Sequence, residues 1–159
     1  MFALTAPQNV QQNKDKSHCW AAALYSWMLA TGRKGTSSTP ISGYKQLVDQ
    51  YSVQEDGGIS QETLAGEVAT DMRMGKSGPG LWDLSENGIE DILRKAGYML
   101  LVYKSGVQSA HTLVVYGVGN YKIKCMDPWY GGPREWSFAE FNGFKPPMPK
   151  MMMWPTTSP

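Results

Sequence analysis

Two cysteines and two histidines among 159 residues make a search for nucleophilic chemistry short. Cys19 stands in SHCWAAALYSWML, where a helical pattern begins. A thiol at a helix start feels the positive end of the helix dipole and unpaired backbone N–H groups, and both stabilise thiolate. One of those N–H groups can also supply half of an oxyanion hole. A buried core cysteine closing an apolar helix is the plainer reading of the same residue. Cys125 lies inside the strand-like run YKIKCMD, where a lone cysteine is usually a small hydrophobe. A Cys19–Cys125 disulfide is possible, though a chain of this length does not need one.

His111 precedes the apolar run TLVVYGVG and so opens a strand, a place from which a side chain can face a helix N-terminus across a cleft. A satisfied structural histidine is its alternative. His18 adjoins Cys19 but is the poorer base, since adjacent helical positions point about 100° apart. Asp127 closes the next strand and is followed by Pro128, which stops a ladder. A hairpin centred on Gly119–Asn120 makes His111 and Asp127 approximate cross-strand neighbours. A carboxylate there can accept the Nδ1–H of His111, fix its tautomer and stabilise the imidazolium. An Asp-Pro turn cap is the bland option.

The elements that must hold these residues can be read from periodicity. Trp20, Ala23, Trp27 and Ala30 recur at helical spacing, with Ser17 as N-cap and Gly32 as stop. Apolar residues surround this helix almost completely, so it is expected to be central and buried. Further helices are expected over 41–52, 60–73 and 85–96, with a break at GKSGPG (75–80). The β-rich runs 98–105, 111–119 and 121–127 follow, with a further short strand at Trp136–Phe138. Helices first and antiparallel strands second is an α+β pattern in one domain spanning 1–159. Residues 1–17 read as an extended lead-in, and the Pro- and Met-rich 146–159 as a surface-wrapping or disordered tail.

Composition narrows the partners. A formal net charge of +1 argues for neither nucleic acid nor anionic membrane as partner. No apolar run approaches the roughly 20 residues needed to span a bilayer. The scattered His and Cys lack metal-ligand spacing, and GKSGPG is no phosphate loop, so no metal or cofactor is expected. The first residues lack the basic and apolar regions of a secretory signal, which points to the cytoplasm or to delivery by a machine that reads no such signal.

The segments SHCWAAALYSWML and AHTLVVYGVGNYKIKCMDPWYGG, together about a quarter of the chain, resemble the Cys-Trp-Ala helix and the His-strand hairpin of papain-like cysteine peptidases. The compact bacterial members, bacteriocin-leader peptidase domains and plant-pathogen effector peptidases, are most similar. The resemblance implies a helical half with a central Cys-bearing helix packed on a C-terminal antiparallel β half. It implies Cys19 as nucleophile, His111 as base and Asp127 as orienter. The family sets a glutamine side chain in the oxyanion hole six residues before the cysteine, where this chain has Asn13. Gln12 is favoured for that role with a one-residue offset, and Gln11 and Asn13 are its rivals.

The expected activity is hydrolysis of a protein or peptide amide through an acyl-enzyme, in a bacterial secreted effector or toxin with a cognate inhibitor protein as partner. Amidase or deamidase action on peptidoglycan or glutamine side chains, acyl transfer, and a catalytically inactive binding module are the alternatives. Trp20 is expected to pack beneath the site. Trp129 and Tyr130 either shield the His–Asp pair, line the cleft or join the core, and Trp82 is a candidate groove residue.

Overall fold

The computed structural model describes residues 1–77, 85–104, 110–142 and 150–156. Its centre is a seven-stranded antiparallel sheet. The strands are β1 (Phe2–Ala3), β2 (Met74–Lys76), β3 (Met99–Lys104), β4 (Ala110–Gly119), β5 (Lys122–Asp127), β6 (Gly132–Ser137) and β7 (Lys150–Pro155). They are ordered β2-β7-β3-β4-β5-β6, with β1 pairing to β4. The helices are α1 (Cys19–Thr31), α2 (Tyr44–Tyr51), α3 (Gln61–Thr63), α4 (Ala69–Asp71), α5 (Glu86–Lys95) and α6 (Phe138–Asn142). A π-helical turn, Leu64–Val68, joins α3 to α4.

Period-two alternation divides the strand side chains between two cores. Leu100, Val102, Val114, Met126, Met151 and Met153 meet α1 and the other N-terminal helices. Leu101, Tyr103, Leu113, Val115, Ile123 and Cys125 point the other way and are covered by Ile89 and Leu93 of α5. The α+β class holds, but helices cover both faces of the sheet, whereas the sequence reading placed all of them in one half.

Helix α1 is the buried helix its composition predicts: Ala21, Ala22, Ala23, Leu24 and Trp27 are wholly enclosed. Two of its buried polar groups are satisfied from a distance. Ser26 Oγ donates to the Gln8 carbonyl and Trp27 Nε1 to the Tyr98 carbonyl. It ends at Gly32, whose φ of 73° makes the left-handed cap that glycine adopts without a Cβ penalty. The residue before the first turn is His18, with no side-chain cap. Ser17, expected in that place, donates its hydroxyl to Asp56 instead.

Several other boundaries shift. The lead-in is extended, as expected, but Phe2 and Ala3 join the sheet opposite Val118 and Gly117. The helical run after residue 60 ends at Asp71, and Arg73 at φ 55° turns the chain into β2. The run at Trp136 belongs to β6, and Phe138 already opens α6. The tail departs most from expectation: β7 is an interior strand between β2 and β3, with Met151 and Met153 buried. Methionine is a weak strand former, so local propensity does not announce it; pairing on both edges and burial on both faces override propensity.

The β4–β5 hairpin turns at Asn120–Tyr121, both at positive φ, one residue beyond the expected centre. This is the primed two-residue turn that matches strand twist. Register then shifts between Val115 and Gly117, a bulge that leaves Tyr116 unpaired with β5. Its carbonyl is taken by the Leu4 N–H.

Candidate active site

The hairpin and the start of α1 converge at one end of the sheet. The His111 imidazole Nε2 lies 2.7 Å from Asp127 Oδ1, with both side chains largely buried. The pairing uses Nε2, not the Nδ1 of the sequence reading, and so leaves Nδ1 as the nitrogen available to Cys19. The bulge makes the meeting possible. Past it, Val115 pairs with Cys125 and Val114 with Met126, so odd-numbered β4 residues share a face with odd-numbered β5 residues. Without the extra residue, His111 and Asp127 would project from opposite faces. They are diagonal neighbours and not a directly opposed pair: His111 is paired with Tyr103 of β3 and Asp127 with Gly132 of β6.

Cys19 is the first residue of α1, partly exposed, and its thiol is reduced. No disulfide forms, and Cys125 is also reduced but fully enclosed. Burial, and then the charge of Asp127, push the Cys125 thiol well above its usual range. Burial would lower the basicity of His111. Hydrogen bonds to Asp127 and Cys19 outweigh it and hold the imidazole up at about 9. A hydrogen-bonded cysteine–histidine pair backed by a carboxylate can exist as thiolate and imidazolium near neutral pH.

A loop at residues 54–59 fixes the helix start. Asp56 accepts from Ser17 Oγ and the Gly58 N–H, and Trp20 Nε1 donates to the Gly57 carbonyl. Trp20 is thereby buried packing beneath the site, as expected, edge-on to Tyr51. His18 faces away from the hairpin pair. Its ring meets Tyr44 edge-on and presses on Gly57, where a Cβ would come within 2.2 Å of its Nε2. Burial, Lys16 and Lys45 lower its basicity.

Of the three oxyanion-hole candidates, Gln12 alone is buried; Gln11 and Asn13 are exposed. The Gln12 N–H donates to the Pro128 carbonyl, tying it to the turn after Asp127, while its side-chain Oε1 is sealed without a partner among the described residues. Gln11 lies against Gly131, and Asn13 Oδ1 accepts the Asp15 N–H in a local turn.

Tyr103 belongs to this site and was missed by sequence reasoning. Its ring stands at 90° to the His111 ring with centroids 5.8 Å apart. Burial, and then the negative charge of Asp127, raise its hydroxyl pKa, so it stays neutral. Only the β3–β4 register, which local sequence does not encode, could have found it. Trp129 and Tyr130 are exposed and outside the core. Trp82 lies outside the described residues. A cleft of about 220 Å³ opens beside Cys19, its lining including Ile59, Leu64, Val102, Thr112, Asp56 and Gln61. No group of side chains able to hold a metal occurs among the described residues.

Fold and site together define a papain-like cysteine peptidase. Residues 1–145 match the family model of the papain-like cysteine protease AvrRpt2, and the chain belongs to that family. No curated protein sequence matches the chain. Among solved structures, the peptidase domain of Streptococcus ComA, a bifunctional ABC transporter, superposes with a TM-score of 0.64 at 17% identity, covering 94% of this chain and 98% of that one. A double-glycine-motif protease from an AMS/PCAT transporter, solved with its leader peptide, gives 0.57 at 15% identity over 97% of both chains.

Proposed function

We propose that the chain cleaves a protein or peptide substrate through a Cys19–His111–Asp127 triad and a thioester intermediate. The observation that carries this is the 2.7 Å His111–Asp127 contact beside a reduced, partly exposed cysteine at a helix start. The Cys19 thiolate attacks the scissile carbonyl. The resulting oxyanion is held by the Cys19 backbone N–H and the Gln12 side-chain amide. The His111 imidazolium passes its proton to the leaving amine as the C–N bond breaks. Water, deprotonated by His111, then hydrolyses the thioester and frees the thiol. Asp127 holds the imidazole ring and balances its charge without taking the proton.

The cleft beside Cys19 suits an extended peptide, and the leader peptide bound by the AMS/PCAT neighbour supports a substrate of that kind. The resemblance to effector peptidases supports a bacterial effector or toxin restrained by a cognate inhibitor protein. Mass spectrometry of proteome-derived peptide pools and of peptidoglycan, treated with wild-type protein or Cys19→Ala, tests the activity. New peptide termini that require Cys19 are expected. Cys19-dependent products from peptidoglycan alone would replace the peptidase reading with an amidase.

A further inference from the structure

The turn after Asp127 presents a surface that the bond-breaking chemistry leaves unused. Trp129 and Tyr130 are 41% and 46% exposed, and each ring lies under a cation. Lys14 Nζ is 5.0 Å from the Trp129 ring centroid, and the Arg134 guanidinium carbon is 3.5 Å from that of Tyr130. The turn is held firmly. The Tyr130 and Gly131 N–H groups both donate to the Asp127 carbonyl, and Gly131 takes the positive φ of 66° that lets Gln11 lie against it. Among the described residues neither Lys14 nor Arg134 is in a salt bridge, and neighbouring Glu135 reaches Lys124 at 3.8 Å.

One atom fixes where this surface lies relative to the reaction. Asp127 Oδ1 receives both His111 Nε2 at 2.7 Å and the Trp129 N–H at 3.0 Å. The leaving amine must take its proton from His111, so the chain downstream of the scissile bond departs on the His111 side, toward this turn. The cleft beside Cys19 differs in charge. Among its described lining residues Asp56 alone is charged. The site therefore has cations at its leaving end and a carboxylate at its acyl end.

Resting on the peptidase reading above, we propose that Lys14, Trp129, Tyr130 and Arg134 form a specificity-determining platform that selects substrates with Asp or Glu shortly after the scissile bond. The rings hold the two cations in place, and the cations meet the carboxylates of the departing chain. Exposed ion pairs of this kind are each worth up to roughly fivefold in affinity, and less at high salt.

Three pools of randomised dodecapeptides, with Glu-rich, Gln-rich or Lys-rich C-terminal halves, are titrated into the Cys19→Ala protein and followed by fluorescence anisotropy. The Glu-rich pool is expected to bind roughly tenfold tighter than the Lys-rich pool at low salt, with the gap closing as salt rises. A pool with the Glu-rich half at the N-terminus should gain nothing. The order should invert in a Cys19→Ala protein that also carries Lys14→Glu and Arg134→Glu. Equal affinities, or an order that survives the double charge reversal, would overturn the platform. Digestion of the same pools by wild-type protein is read separately. Cuts with no acidic enrichment downstream also count against the platform. Intact binding preference with no cutting of any pool counts against the peptidase reading and leaves the platform as a binding surface.

Discussion

The two cysteines occupy opposite kinds of environment in one small fold. Cys19 starts a helix, is partly exposed, and stands beside a histidine that is itself fastened to a carboxylate. Cys125 is wholly enclosed in the sheet, its Sγ directed at the Arg134 carbonyl at 3.7 Å. The chemistry of the thiol is identical, so any difference in reactivity must come from its surroundings. A helix terminus supplies N–H groups and solvent access, whereas a strand interior supplies only desolvation.

The sharpest way to break this contrast is to remove each thiol in turn. Cys19→Ala or His111→Ala should reduce peptide turnover to background, a loss on the order of 10⁶ where such residues act as a unit. Retained activity in Cys19→Ala would end the reading.

Asp127→Ala should be roughly a hundredfold less severe, because in the proposed route its carboxylate makes and breaks no bond. It should also alter the pH response. The folded pKa of His111 stands at about 9 against 6.5 for a free imidazole. The stabilisation this reflects is full below about pH 6.5 and is lost as pH rises through about 9. Turnover should fall over the same upper limb, as the imidazolium loses the proton the leaving amine needs. Asp127→Asn should move that limb to lower pH and flatten the alkaline fall in melting temperature; an unmoved limb would detach Asp127 from the base.

Gln12→Ala should cost roughly 100–1,000-fold in turnover while iodoacetamide still labels Cys19 rapidly, since the cysteine–histidine pair survives. Equal loss of labelling would recast Gln12 as structural.

Tyr103 gives a finer test. Tyr103→Leu removes the ring that stands against His111 and should lower kcat by roughly tenfold with little change in KM. Tyr103→Phe keeps the ring and should restore most of the rate. Edge-on aromatic pairs contribute about 0.5–1.5 kcal/mol, which sets that scale. A Phe variant as slow as the Leu variant would shift the role to the hydroxyl.

The smallest effect on rate belongs to Cys125→Ser. Turnover should persist, while stability falls by about 1–3 kcal/mol, the range for a hydroxyl placed in an apolar interior with limited hydrogen bonding. Thermal melting beside a peptide assay separates the two quantities.

What the residues disclosed follows the range of the forces involved. Helix α1 was legible because apolar periodicity and the Gly32 stop are local. The β3, β4 and β5 runs were legible because β-branched and aromatic residues cluster there. The nearness of His111 and Asp127 was legible only roughly, because the turn lies one residue later than supposed and the bulge at Tyr116 restores the phase. Strand β7 was hidden: KMMMWP carries no strand signal of its own, and its partners lie at residues 74–76 and 100–103. Tyr103 was hidden for the same reason. Gln12 was nameable only by resemblance, and its burial, unlike that of Gln11 and Asn13, is a tertiary fact.

The position of β7 also sets a timetable. It slides between β2 and β3, and β3 carries Tyr103 against His111, so the strand behind the base is supplied by residues near the end of this sequence. On a ribosome, or in any conduit the chain threads from its N-terminal side, Cys19 emerges long before that strand arrives. Through that interval the sheet has a gap where β7 belongs, and the thiol is present without a fully braced partner. The fold thus ties two distant stretches together: the sheet that carries His111 is not continuous until residues 150–155 have joined it.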